Sequence, residues 1–203
     1  MEEKLIKRER RMGFYRRLLE GNVLFYVGVT AFCIGLAAGI ALCAAQFGGA
    51  ITDFFGMSCI FNTDESFFDV FLSFFIADIR LMLIFFAFGF TAFGLPAYIL
   101  VQIFCGFTLG CSALVVFSSL GVYGILPVGA ALIPHMLAII TANAFSAKSI
   151  IPVSLRILEI FRKDDIIIVQ SEINISNCMY SFALSAVFAA VGSLLCAAVA
   201  MIK

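Results

Sequence analysis

The residues of this chain that could do chemistry are few, and they lie in apolar surroundings. His135 is the only histidine, and it follows Pro134 directly. Upstream, Gly110-Cys-Ser112-Ala has the G-x-S-x form of a nucleophilic serine. A Ser–His dyad needs the two side chains in hydrogen-bond contact, together with donors for an oxyanion. No such donors stand out, and Gly-Ser pairs are ordinary packing units in membrane helices. An intramembrane serine protease built on Ser112 and His135 is therefore a minor reading. His135 has no carboxylate three or four residues away, so a metal or proton role has little local support. A packing histidine is the expectation. Asp78 and Arg80 stand at the start of an apolar run, where both can reach the headgroups as interfacial charges.

The seven cysteines are an odd number, and no C-x-x-C occurs. Cys33, Cys43, Cys105, Cys111, Cys178 and Cys196 sit in or beside apolar runs. A disulfide framework or zinc site is not expected, and no nucleotide-binding motif is present, so no cofactor is assigned.

The elements that must position these residues are set by hydropathy. Mean hydropathy is +1.12, with 63% hydrophobic and only 13% charged residues. A soluble domain carries about 25% charged residues, so most of this surface faces something other than water. The expected fold is all-α, a single polytopic membrane bundle of five helices over residues 1–203. Apolar runs at 22–46, 77–93, 96–119, 121–147 and 176–202 each match the roughly 20 residues that cross a bilayer. The break between the second and third falls at Gly94-Leu-Pro96, because Gly and Pro punctuate a helix. Pro127 and Pro134 kink the fourth run and free carbonyls for other helices to satisfy.

Several small-residue motifs point to close helix packing. Gly35-Leu-Ala-Ala-Gly39 and Gly106-Phe-Thr-Leu-Gly110 are GxxxG motifs. Ser181, Ser185, Ala189, Ser193 and Ala197 set a small residue every four positions on the last span. The same motifs leave self-association as a homo-oligomer open.

Charge orients the chain. Residues 1–21 carry Lys4, Lys7, Arg8, Arg10, Arg11, Arg16 and Arg17 in a basic amphipathic segment. With that segment cytoplasmic, the 148–175 loop with Lys148, Arg156, Arg162 and Lys163 is also inside. Residues 47–76, which hold Asp53, Asp64, Glu65 and Asp69 and many phenylalanines, form an outer loop, a polar turn followed by a helix lying on or dipping into the outer interface. This obeys the positive-inside rule. No basic surface on a soluble fold suggests nucleic-acid binding.

From Asp78 to Ser149 the chain resembles the stage II sporulation protein M family. The matching pieces, in order, are Phe74-Phe75-Ile-Ala-Asp-Ile-Arg80, Phe88-Gly89, Gly94-Leu95-Pro96, Gly106-Phe-Thr-Leu-Gly110 and Ile133-Pro134-His135. Two positions depart from the broader family's pattern. Asp78-Ile79 stands where many members carry an Asn before the Arg, and Ile139 stands where many carry a Glu after the Pro-His. A catalytic or proton-relay role for that pair is not carried over. The resemblance implies a non-enzymatic scaffold in the bacterial plasma membrane. It implies membrane-anchored cell-wall hydrolases as partners and a place in the complex that thins septal peptidoglycan during engulfment. A small permease or transporter subunit is the main rival reading.

Overall fold

The computed structural model describes residues 23–44, 66–125, 128–162 and 175–201. The basic segment 1–21, most of the acidic loop and residues 163–174 lie outside the described residues. Five helices carry the fold: α1 (Val23–Leu42), α2 (Phe67–Gly89), α3 (Gly94–Leu120), α4 (Ile133–Arg162) and α5 (Ile175–Ala200). A 3-10 turn (Gly121–Gly124) and a π turn (Val128–Leu132) link α3 to α4. No strand occurs among the described residues. Five helical segments are long and apolar enough to cross a membrane, so the all-α membrane bundle expected from hydropathy is the fold of the protein.

The largest departure from the sequence expectation is α2. It begins at Phe67, ten residues before the expected start at Ala77, so the helix expected at the outer interface is continuous with the span. Its start is fixed by Ser66, whose hydroxyl oxygen accepts from the Asp69 N–H at 3.3 Å and whose hydroxyl proton goes to Asp69 Oδ2 at 2.6 Å. Capping of this kind satisfies donors that a helix start leaves orphaned. The buried face then reads Val70, Phe74, Asp78, Met82, Phe85 and Gly89, steps of three and four that make one helical stripe.

The other boundaries move less. Gly94 opens α3, which leaves Pro96 in its first turn, where a missing N–H breaks nothing. Gly121 ends α3 with φ +58°, a backbone region that favours glycine. α4 runs on through Pro152 to Arg162, past the expected end of the fourth span, so the first part of the 148–175 loop is helical. That extension does structural work at the α2–α3 connection. Ser154 Oγ accepts the Gly94 N–H at 2.8 Å, and a side chain on Gly94 would collide with Ser154.

α1 and α3 run in the same direction and pack backbone to backbone. A Cβ built on Gly35 would strike the Ile103 carbonyl oxygen, and one on Gly39 the Phe107 carbonyl oxygen. From the other side, Cβ atoms on Gly106 and Gly110 would strike the carbonyls of Phe32 and Leu36. The two GxxxG motifs therefore face each other, and only glycine allows this approach. One turn further on, the same register brings Cys43 to Cys111. Cys43 Sγ lies 3.7 Å from the Cys111 carbonyl, and Cys111 Sγ lies 3.5 Å from the Gly39 carbonyl. With the other five cysteines replaced by alanine, oxidation is expected to join Cys43 to Cys111 within one chain. The readout is a gel-mobility change reversed by reductant. An uncrosslinked chain under conditions that oxidise a control pair would contradict the register.

Candidate functional site

The buried polar residues lie on α2, α3, α4 and α5, and one cluster of them joins α2, α4 and α5. Asp78 is the twelfth of the 23 residues of α2, roughly 16 Å from either end at 1.5 Å per residue. It is 6% exposed, His135 of α4 is 1% exposed and Ser193 of α5 is fully buried. Asp78 Oδ2 receives both partners: His135 Nε2 lies 3.1 Å away, and the Ser193 hydroxyl donates from 3.1 Å. The Phe74 ring stands edge-on to His135, with centroids 5.3 Å apart. Gly192 lies against α4 here; a Cβ there would sit 3.4 Å from the Cα and carbonyl oxygen of His135, an ordinary van der Waals contact.

This corrects the reading of Asp78 and Arg80 as interfacial charges at a helix start. Because α2 begins at Phe67, both lie in the middle of the helix. They part company there: two residues turn a helix through more than half a circle, so Asp78 points inward and Arg80 lies exposed on another face. His135 is buried, and its carboxylate partner comes from another helix, 57 residues away.

Below this cluster the small-residue stripe of α5 runs along α4. Ser185 donates to the Ala142 carbonyl at 2.7 Å and shares a 2.7 Å hydroxyl contact with Ser146. Ser181 meets Ser149 at 2.6 Å. Ala189 is fully buried against Met82 and Ala142. Ser185 and Ala189 are thus positions of internal helix packing. At the top, Cys196 Sγ reaches the carbonyl of Ala131 at 3.5 Å, three residues before Pro134. A neighbouring helix thereby contacts the irregular turn; Pro127 lies outside the described residues.

The arrangement is not that of a serine hydrolase. In a triad the serine bonds one imidazole nitrogen and the carboxylate the other. Here Ser193 and His135 both bond the carboxylate, and His135 Nδ1 has no hydrogen-bond partner. Ser112, the serine of the G-x-S-x motif, donates to the Thr108 carbonyl of its own helix at 2.7 Å. Among the described residues no group of three His, Cys, Asp or Glu side chains could hold a metal ion.

The family model for stage II sporulation protein M matches residues 24–202. The chain belongs to that family. The match covers all five helices of the bundle and both halves of the Asp78–His135 pair, so this cluster sits inside the family's own domain. No curated protein and no solved structure matches the chain. The family and the five apolar helices together make this a sporulation-related, multi-pass membrane protein.

Ser193 was legible only as a member of the small-residue stripe. Its signal as a polar ligand was the one hydroxyl on that stripe level with a histidine on the preceding span. Asp78 had a stronger signal, because it falls on the apolar stripe Val70, Phe74, Met82 and Phe85 that marks the buried face of α2.

Proposed function

We propose that the protein is a non-enzymatic scaffold of the bacterial plasma membrane, with its amino terminus in the cytoplasm. It anchors membrane-bound cell-wall hydrolases in a complex that remodels septal peptidoglycan during engulfment. The observation that carries this reading is where the polar side chains are spent. Ser146, Ser149, Ser154, Ser181, Ser185 and Ser193 all bond across to another helix. Such contacts hold helices in register rather than present a reacting group. The outward faces are apolar instead, with Ile76, Leu83, Ile84 and Phe88 on α2 and Val187, Val191 and Leu194 on α5. Those faces suit lipid and the anchor helices of partner proteins. Family membership supplies the sporulation context.

The test is complementation in a spore-forming host lacking its own copy. The wild-type chain should restore engulfment and bring a fluorescently tagged peptidoglycan hydrolase to the septum. Ser112→Ala should do the same at equal protein level. Failure of Ser112→Ala to restore engulfment, with the protein present in normal amount, would contradict the non-enzymatic reading.

A further inference from the structure

The Asp78–His135–Ser193 cluster has two hydrogen-bond arrangements that differ by one proton. The Ser193 hydroxyl has a single proton and two acceptors in reach, Asp78 Oδ2 at 3.1 Å and the Ala189 carbonyl at 2.9 Å. When Asp78 is a carboxylate, Ser193 donates to it. When Asp78 carries a proton, the carboxyl becomes the donor and the Ser193 hydroxyl is free to turn to Ala189. His135 can follow the same change. Nε2 donates to a carboxylate or accepts from a carboxylic acid, and in the second case the ring proton resides on Nδ1. Nδ1 is buried and has no partner, so this tautomer change breaks no other bond, and it places the Nδ1 proton where no acceptor meets it.

We propose that this cluster is a proton-binding site in the middle of the bundle, taking up one proton onto Asp78 and His135 and releasing it again. The step is a carboxylate–imidazole pair plus a proton giving the protonated pair; no electrons move and no bond between heavy atoms changes. A metal ion is not the ligand the geometry fits, since Oδ2 and Nε2 are already in direct hydrogen-bond contact at 3.1 Å. The titratable groups that face Asp78 are His135 from α4, the Cys105 thiol from α3 and the Cys196 thiol from α5. On α2 itself, Arg80 lies exposed on another face and Asp69 near the helix start. An ionisable group at this depth is costly to keep without a role, and a site that exchanges a proton gives it one independent of the scaffold reading.

The test uses the fact that His135 is the only histidine. The full chain, made with isotope-labelled histidine and purified by a tag free of histidine, is placed in lipid nanodiscs. Its ring nitrogen resonances then report one site without assignment. They should move with bulk pH through a single, reversible one-proton transition. Asp78→Asn should displace the midpoint by at least about one pH unit, a tenfold change in proton affinity. Ser193→Ala should displace it by less, and Ser185→Ala, on the same stripe but away from the cluster, should leave it in place. Resonances that stay fixed over the whole pH range in which the protein remains folded would overturn the proposal. So would a transition that neither Asp78→Asn nor Ser193→Ala moves. Should Asp78→Asn fail to fold, Ser193→Ala alone decides the point.

Discussion

Replacing Gly106 with leucine will separate α1 from α3. A Cβ at Gly106 collides with the carbonyl oxygen of Phe32 and crowds the Leu36 N–H. A carbonyl in a helix cannot step aside as a flexible side chain can, so the whole helix must move. The close approach is also reciprocal. Once Gly106 is pushed away, Gly35 and Gly39 lose the carbonyls of Ile103 and Phe107 that they pack against. Tyr98, whose hydroxyl donates to the Leu24 carbonyl at 3.0 Å, is drawn from its partner at the other end of the interface. Overpacking costs roughly 1–3 kcal/mol and occasionally more; a backbone-to-backbone site belongs at the top of that range. In a membrane there is little hydrophobic force to compensate, because lipid is as apolar as leucine. The expected result is loss of the Cys43–Cys111 cross-link together with a lower unfolding temperature in detergent. Gly129→Ala is the control, since a Cβ at Gly129 meets nothing within 4 Å. It should leave both readouts unchanged.

His135→Leu will destabilise the bundle more than loss of a packing side chain accounts for, and a second substitution at Asp78 will recover much of the loss. Taking away His135 leaves the Asp78 carboxyl at mid-helix with Ser193 as its remaining partner of the pair described here. Leaving one partner of a buried hydrogen bond unsatisfied costs about 1–3 kcal/mol and more when that partner is charged, whereas replacing both with apolar groups can be nearly neutral. For a chain of this length that is a fall of about 5 °C or more in the unfolding midpoint for His135→Leu. Asp78→Leu combined with His135→Leu should lose less than half as much. A double variant that is worse than His135→Leu by the full effect of Asp78→Leu would mean that the two residues act independently. Additivity of that kind would remove the basis for treating them as one site.

Much of this bundle was legible in the sequence because hydropathy runs are a direct reading of bilayer thickness. α1, α3 and α5 fall within a few residues of the apolar runs that mark them. α2 did not, because the stretch around Asp69 mixes a charge with many phenylalanines and looks interfacial by composition. The local sequence Ser66-Phe-Phe-Asp69 is nonetheless a helix-start pattern, and giving it weight over composition would have moved the start to its observed place. That one boundary decided the fate of Asp78. With α2 starting near Ala77, the carboxylate belongs to the interface; with α2 starting at Phe67, it belongs to the core.

The pairings between helices were less legible, for a physical reason. A GxxxG motif says that something approaches closely, not what. Gly35 and Gly39 could have met any neighbour, and it is the three-dimensional order of the helices that sets them against Gly106 and Gly110. The Asp78–His135 contact joins spans that are not consecutive in the chain. Periodicity alone locates each residue on a face of its own helix but leaves the partner face open. The α5 stripe was legible as packing, and the structure assigns it to α4 through Ser146, Ser149 and Ala142.

The scaffold reading is tested most directly by what travels with the protein. The tagged full chain is captured in mild detergent from membranes of sporulating cells, and the co-purifying proteins are identified by mass spectrometry against an untagged strain. The scaffold account predicts enrichment of membrane-anchored peptidoglycan hydrolases, unchanged for Ser112→Ala. Enrichment of a transport ATPase or a solute-binding protein in their place would contradict it and make the protein a transporter subunit.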